Sequence, residues 1–474
     1  MLFSSAVFLL LFFPLFLPLY IAAPNRFKNA VVLVSSLIFY AWGGFGFLPI
    51  LIVSLTLDHW IGTAINRSHT SQNRKWLLGI GVSLNVLILT YVKYANFFMD
   101  NVNSLLGELG IESVGWTRIA LPLGISFFTF QKISFLIDTY RKESVPQKSL
   151  ADYALFVVLF PQLIAGPIVR YNQLAQQIRE RRNNINLVNF LNGMFRFSVG
   201  LAKKLFVADV LAGHVDVAFS ADVNSMSMLE AWLGVSAFAF QVYFDFSAYS
   251  DIAIGIGSML GFNIPENFNF PYKSRSTTEF WRRWHITLGS WFKDYLYVPM
   301  GGNRGSIFRT YFNLWFIFVL CGAWHGASWT FVIWGCYNGV FITLDKLFLK
   351  RGLDRLGALP GTVIFFVSYL IGLAIFRSNG LEHAFDYLEK MFSLANFKLA
   401  HQRPDNMIWF SYGLAAIVSF LPMIGGVERM GSKVYDSNSS ASTILKFVTS
   451  FVFIALSMTE VISSGFNPFV YFRF

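Results

Sequence analysis

The stretch Gly322-Ala323-Trp324-His325-Gly326-Ala327-Ser328-Trp329 places a histidine between two glycines, inside the longest apolar run of the central region. An ionisable side chain in such a run is costly and marks a functional site by default. The competing reading is a neutral histidine bonded to a backbone carbonyl, and the residue alone leaves both open. Gly322 and Gly326 let another backbone or a substrate approach closely. In a water-poor site, a histidine near its ordinary pKa is suited to take the proton of an attacking hydroxyl.

The second segment with chemical content is Ser276-Thr277-Thr278-Glu279-Phe280-Trp281-Arg282-Arg283-Trp284-His285. Ser276 with Glu279 predicts a capping box and a helix start. Phe280, Trp284, Leu288, Trp291 and Tyr295 follow at helical spacing, with Arg282, Arg283 and Lys293 off that stripe. The pattern predicts an amphipathic helix over 278–296 lying in the membrane interface, with Trp281, Trp284 and Trp291 toward lipid or core. An anchor explains all of it except His285, which is placed to reach into the protein. The following turn, Pro299-Met300-Gly301-Gly302-Asn303-Arg304-Gly305, can cradle a donor phosphate or be a plain turn. Arg170, after Ala165-Gly166-Pro167, is a donor contact or an ordinary basic flank. Asp245 and Asp251 are six residues apart and share no helix face, so they read as buried hydrogen-bond hubs rather than a carboxylate pair. Asp245, Trp324, Arg304 and Arg170 complete the candidate substrate- or donor-binding set.

Other chemistries lack support. His285 and His325 would need a third metal ligand, and neither HExxH nor Cys/His zinc spacing occurs, so no metal site is expected. A GxSxG elbow is absent, which removes support for a covalent serine. Cys321 and Cys336 lie in apolar stretches and read as small hydrophobes rather than a disulfide or metal site.

The elements that position these residues follow from composition. Only 13% of the chain is charged and 55% is hydrophobic, whereas soluble domains carry about 25% charged residues. That deficit across 474 residues indicates an all-α polytopic membrane protein. Apolar runs occupy 3–22, 29–44, 47–63, 77–98, 119–138, 151–168, 187–212, 227–262, 311–348, 360–377, 405–424 and 443–464. With 311–348 long enough for two passes, about 11–13 membrane segments are expected, all in one integral-membrane domain spanning 1–474. The run 151–168 is short and carries Pro161, Gly166 and Pro167, so it reads as re-entrant or shielded by protein.

Met1–Ile21 has no basic n-region, and Arg26 and Lys28 follow it, which predicts a retained helix with a periplasmic N-terminus. Basic residues then fall on the cytoplasmic side, most numerous in 263–310. Loops 99–116 and 213–226 carry Asp and Glu but no Lys or Arg, and loop 378–404 has only Lys390, Lys398 and Arg403. This asymmetry also accounts for the net charge of +11, since no stretch reads as a nucleic-acid module. The partners implied by composition are membrane lipids, not nucleic acid.

On Leu121–Arg141, Phe160–Arg170, Val242–Asp251, Glu279–Gly305 and Trp324–Gly339, the chain resembles the membrane-bound O-acyltransferase (MBOAT) family, in particular its bacterial alginate O-acetylation branch. The resemblance runs from the N-terminus to about residue 390. It implies a bundle of tilted helices around a central channel, with His325 as catalytic base and His285 as a second functional histidine orienting or stabilising the acyl group. It further implies a bacterial inner-membrane O-acetyltransferase of an exopolysaccharide or cell-wall polymer. The donor would be acetyl-CoA or another cytoplasmic acetyl carrier, with no bound cofactor. The partners would be a polysaccharide acceptor and a periplasmic SGNH-type acetyltransferase or esterase. Ala248 departs from the Gly common in relatives, and the end of the chain, 467–474, departs from relatives with a long C-terminal extension. The rivals are D-alanyl transfer to teichoic acid and a polymer or lipid transporter without acyl chemistry. The absence of an internal repeat counts against the transporter.

Overall fold

The computed structural model describes residues 1–393, 404–437, 439–463 and 467–470. Lys398 and Arg403 of the loop 378–404 lie outside the described residues, as do Ser464 and the end of the chain beyond Val470. The described residues form helices and connecting turns, with no strand among them. They divide into two compact units, Met1–Phe190 with Ile256–Pro265, and Leu191–Gly255 with Glu266–Phe474.

The first unit holds α1 (Phe13–Ala22), α2 (Lys28–Gly44), α3 (Leu48–Arg67), α4 (Ser71–Glu108), α5 (Ile125–Arg141), α6 (Leu150–Val158), α7 (Phe160–Leu163) and α8 (Tyr171–Glu180). Its centre is an ion pair where the sequence is otherwise apolar. Lys132 Nζ on α5 lies 3.0 Å from Asp58 on α3, and Asn85 Nδ2 on α4 donates to the same carboxylate at 2.7 Å. Leaving either charge unpaired there would be strongly destabilising, so the three helices are tied together. Glycines permit the approach: a Cβ on Gly62 would stand 2.3 Å from the Phe135 ring, and one on Gly81 2.7 Å from Leu136.

The segment 151–168 is broken and enclosed, as its prolines and glycine predict. Helix α6 stops at Leu159, α7 lasts one turn, and Phe156 through Phe160 are fully buried. Freed backbone groups find protein partners, with Gln162 Nε2 donating to Phe156 O and Phe160 N–H to Ser36 Oγ.

The second unit holds α9 (Leu187–Lys203, entering it at Leu191), α10 (Asp209–Ser220), α11 (Met228–Met259, leaving it after Gly255), α12 (Thr277–Arg283), α13 (Ile286–Phe292), α14 (Ile307–His325) and α15 (Trp329–Leu344). It continues with α16 (Lys350–Leu356), α17 (Ala358–Arg377), α18 (Leu381–Phe392), α19 (Asn406–Phe420), α20 (Val427–Asp436) and α21 (Ser440–Ser463). The acids of α11 are hubs, as expected. Asp245 pairs with Lys204 at 2.9 Å and accepts the Val470 N–H at 2.6 Å. Asp251 pairs with Arg196 and Lys203, each at 2.6 Å.

Among the described residues, seven helical segments are long and apolar enough to cross a membrane, and the protein is a multi-pass membrane protein. The expected 11–13 counted passes differently. Lys28–Arg67 counts once though it joins α2 and α3, and Val7–Ala22 is shorter than a full span. Cys321 is buried and Cys336 half-buried, and both are free thiols.

Candidate active site

The helix expected over 278–296 is interrupted, and the interruption makes the site. Ser276 caps α12 by accepting the Glu279 N–H at 3.2 Å. The return bond of the expected box goes one residue earlier, from Arg275 N–H to the Glu279 carboxylate at 3.0 Å. After Arg283 the chain turns extended at Trp284 and left-handed at His285 (φ 46°, ψ 51°) before α13 begins. The cause is the loop before α12, whose backbone pairs with this stretch. Asn269 N–H donates to Arg283 O and Ile286 N–H to Asn267 O, both at 2.9 Å. These bonds replace the helical ones that a continuous helix would have made. The apolar stripe survives the break, since Phe280, Trp284, Leu288, Trp291 and Tyr295 are all buried. Trp281 is half-buried and donates its indole N–H to Asn338 Oδ1 at 3.1 Å.

His285 is 1% exposed. Its Nδ1 lies 3.2 Å from Asn267 Oδ1, while Nε2 meets no hydrogen-bond partner among the described residues. The Phe246 ring stands edge-on at 4.7 Å between centroids and the Trp324 ring at 6.1 Å. Burial pushes the imidazole pKa down to about 3, because nothing compensates the lost hydration of the cation, so the ring is neutral.

His325 ends α14 and is also buried. Trp324 touches it at 5.0 Å between centroids, Trp334 at 5.2 Å and Phe376 at 5.5 Å. Trp324 therefore contacts both imidazoles, and the two histidines share one aromatic enclosure despite lying forty residues apart. The flanking glycines are filled by protein. A Cβ on Gly322 would fall 2.2 Å from Phe331 O, and one on Gly326 2.1 Å from the Phe331 ring. Of the two uses the sequence left open, the structure shows the approach of a backbone and a ring from α15.

The remaining candidates lie elsewhere. Arg304 is exposed in the turn after α13. Three amides of that turn are already used, since Gly301, Gly302 and Arg304 donate to Val298, Tyr297 and Gly301 carbonyls. Asn313 Nδ2 and Arg309 Nε hold the turn from α14 through the Met300 carbonyl. Asp245 is occupied by Lys204 and Val470, as described above. Arg170 belongs to the first unit, where it opens α8 with its N–H on Gln173 Oε1 at 3.1 Å. A polar cleft of about 390 Å³ is lined by Arg275, Arg282, Arg283 and Lys350, with Glu279 and Asp354 among them. The cleft is lined by residues from both ends of α12, and His285 follows that helix two residues after Arg283.

Asn267 is the residue holding His285 that the sequence did not reveal. It is fully buried, lies 18 positions before His285 in an irregular loop, and belongs to no motif or periodic pattern.

The profile of the membrane-bound O-acyltransferase family matches residues 70–352. A probable alginate O-acetylase of Azotobacter vinelandii is 37% identical over the full length of both chains. One from Pseudomonas aeruginosa is 42% identical, over 90% of this chain and 82% of its own. A peptidoglycan O-acetyltransferase of Helicobacter pylori is 33% identical over all of this chain and 98% of its own. The chain belongs to the membrane-bound O-acyltransferase family and is an acyl-transferring enzyme.

Proposed function

We propose that the protein moves acetyl groups from a cytoplasmic donor through the inner membrane for O-acetylation of an exopolysaccharide or cell-wall polymer, with His325 as general base. The observation that carries this reading is the aromatic enclosure in which His285 and His325 both contact Trp324. In the step proposed, a hydroxyl oxygen attacks the acyl carbonyl carbon while its proton passes to His325. The bond to the donor's leaving group, sulfur in a thioester, then breaks, and the proton is returned to that group. Exclusion of water protects the acyl group from hydrolysis, and the buried walls of Trp324, Trp334 and Phe376 supply it. His285 orients the reacting groups.

The donor is acetyl-CoA or another acetyl carrier. The arginine- and lysine-lined cleft beside α12 suits an anionic one. The seven Lys and Arg of 263–310 favour a cytoplasmic position for this segment, with the N-terminus periplasmic. A periplasmic SGNH-type partner completes the transfer to polymer. Acetyl is favoured over D-alanyl because the full-length relatives carry O-acetylating names.

The test is His325→Gln, which keeps a hydrogen-bonding group but cannot accept a proton near neutral pH. Loss of a general base costs ~10²–10⁴-fold in rate. Acetyl content of secreted polymer, normalised to the amount of protein in the membrane, should therefore fall to background. Near wild-type acetylation would return His325 to a structural role and restore the transporter alternative.

A further inference from the structure

We propose that Asn267 is a positioning residue that fixes His285 as the Nδ1–H tautomer, so that Nε2 faces the reaction as a lone pair and takes a hydrogen bond from the departing thiol rather than giving one to the acyl carbonyl oxygen. The inference rests on the acyltransfer reading for what Nε2 meets. The tautomer itself rests only on the hydrogen bonds around Asn267.

The amide orientation of Asn267 is set by a group with no choice. The Thr287 backbone N–H can only donate, and it points at Asn267 Oδ1 at 3.3 Å. The Thr287 hydroxyl reaches the same atom at 2.9 Å. That atom is therefore the carbonyl oxygen, and the NH₂ group turns the other way, donating to Ser250 Oγ on α11 at 3.3 Å. His285 Nδ1, 3.2 Å from the same oxygen, must carry hydrogen to make its bond. A neutral imidazole has one N–H, so Nε2 is bare. The backbone fixes the ring as well, since Ile286 N–H is held by the Asn267 carbonyl.

A bare Nε2 has a definite chemical consequence. A lone pair repels the oxygen of a carbonyl and the negative charge that grows on it during attack, so His285 does not serve as an oxyanion donor. It attracts an O–H or S–H. Beside Trp324, which also contacts His325, it can accept the S–H of the departing thiol once the proton taken by His325 has been returned to sulfur, leaving the attacking hydroxyl's single proton to the base. The fall of its pKa to about 3 agrees, because an imidazolium at this place would need a compensating charge.

The experiment is nitrogen-15 NMR of histidine-labelled protein in nanodiscs, comparing wild type with His285→Gln, Asn267→Leu and Asn267→Asp. Seven histidines are present, so the signal lost in His285→Gln identifies His285. It should show a protonated Nδ1 and an unprotonated Nε2. Asn267→Asp keeps an acceptor for Nδ1 and should keep this pattern. Asn267→Leu removes the acceptor and should move the proton to Nε2 or average it, lowering kcat by roughly 10²-fold while leaving the donor KM near wild type. Recovery of most of that loss in Asn267→Asp separates positioning from folding. A wild-type signal with hydrogen on Nε2 overturns the proposal, as does an Asn267→Leu protein with unchanged tautomer and rate. If the Leu variant does not fold, the wild-type and Asp spectra still decide the tautomer. The predicted tautomer together with an active His285→Gln would instead overturn the role given to His285 in acyl transfer and leave the tautomer assignment standing.

Discussion

Gly322→Ala is a single methyl placed three residues before His325. The Cβ would stand 2.2 Å from Phe331 O and 3.1 Å from Gly335 Cα, where ordinary contact begins at 3.4 Å. The obstacle is backbone of α15 and cannot rotate away, so α14 and α15 must separate by about 1.2 Å at this level. Gly335 gives no slack, because a Cβ there would meet Phe318 O at 2.5 Å. The same α14 carries Trp324 and His325, so the displacement reaches the enclosure. A misplacement near 1 Å costs about 10²-fold in rate, and overpacking costs about 1–3 kcal/mol in stability. Polymer acetylation normalised to membrane level should drop by about two orders of magnitude, with a lower thermal midpoint of the detergent-purified protein. Gly79→Ala is the control, since Gly79 is exposed on α4 with nothing within 4 Å. Gly322→Ala protein that inserts, melts and acetylates like wild type would refute the claim that this crossing positions His325.

Two further substitutions probe buried ionisable groups. Asp245→Asn leaves Lys204 with only Asp209, 2.7 Å away, and should cost roughly 1–3 kcal/mol by thermal unfolding while the folded protein keeps its acetylation rate. Lost activity at an unchanged melting point would instead make Asp245 a substrate contact. His285 sets an acid limit. Its folded pKa of about 3 lies below the ordinary 6.5, so the unfolded chain binds the extra proton, and the stability contributed is complete above about 6.5 and lost as pH falls toward 3. At pH 5 this amounts to about 2 kcal/mol. Thermal midpoints at pH 7 and pH 5 should therefore fall less in His285→Gln than in wild type, and parallel falls would contradict the burial argument.

What the sequence made legible was whatever depends on burial and local spacing. Apolar runs announced the membrane helices, and Pro161 with Gly166 and Pro167 announced a broken segment, found between α6 and Val169 with its backbone enclosed by protein. His325 stood out because an ionisable group in an apolar run has few inexpensive explanations. The stripe from Phe280 to Tyr295 marked the buried face correctly but not the backbone beneath it. Side-chain spacing near 3.6 reports which residues go inside. It does not report two bonds made by a loop that precedes the helix, Asn269 N–H to Arg283 O and Ile286 N–H to Asn267 O. Those bonds join residues 14 and 19 positions apart (283 − 269 and 286 − 267), beyond any helical period.

That break explains why the site needs an asparagine. A histidine in the left-handed region is strained by roughly 1–3 kcal/mol, and it stays there only if its surroundings hold it. Asn267 supplies that hold from both ends. Its backbone carbonyl takes the Ile286 N–H, and its side-chain oxygen takes His285 Nδ1 and both donors of Thr287. Net contributions of about 0.5–1.5 kcal/mol per hydrogen bond are enough to offset the strain. Every donor on the Nδ1 side is then satisfied, and the one nitrogen left bare, Nε2, is buried. Straightening α12 into α13 would relieve the backbone, but it would give up these bonds and with them the fixed tautomer. On the role proposed above for His285, the kink is the means by which this segment presents a neutral, oriented imidazole to the acyl group.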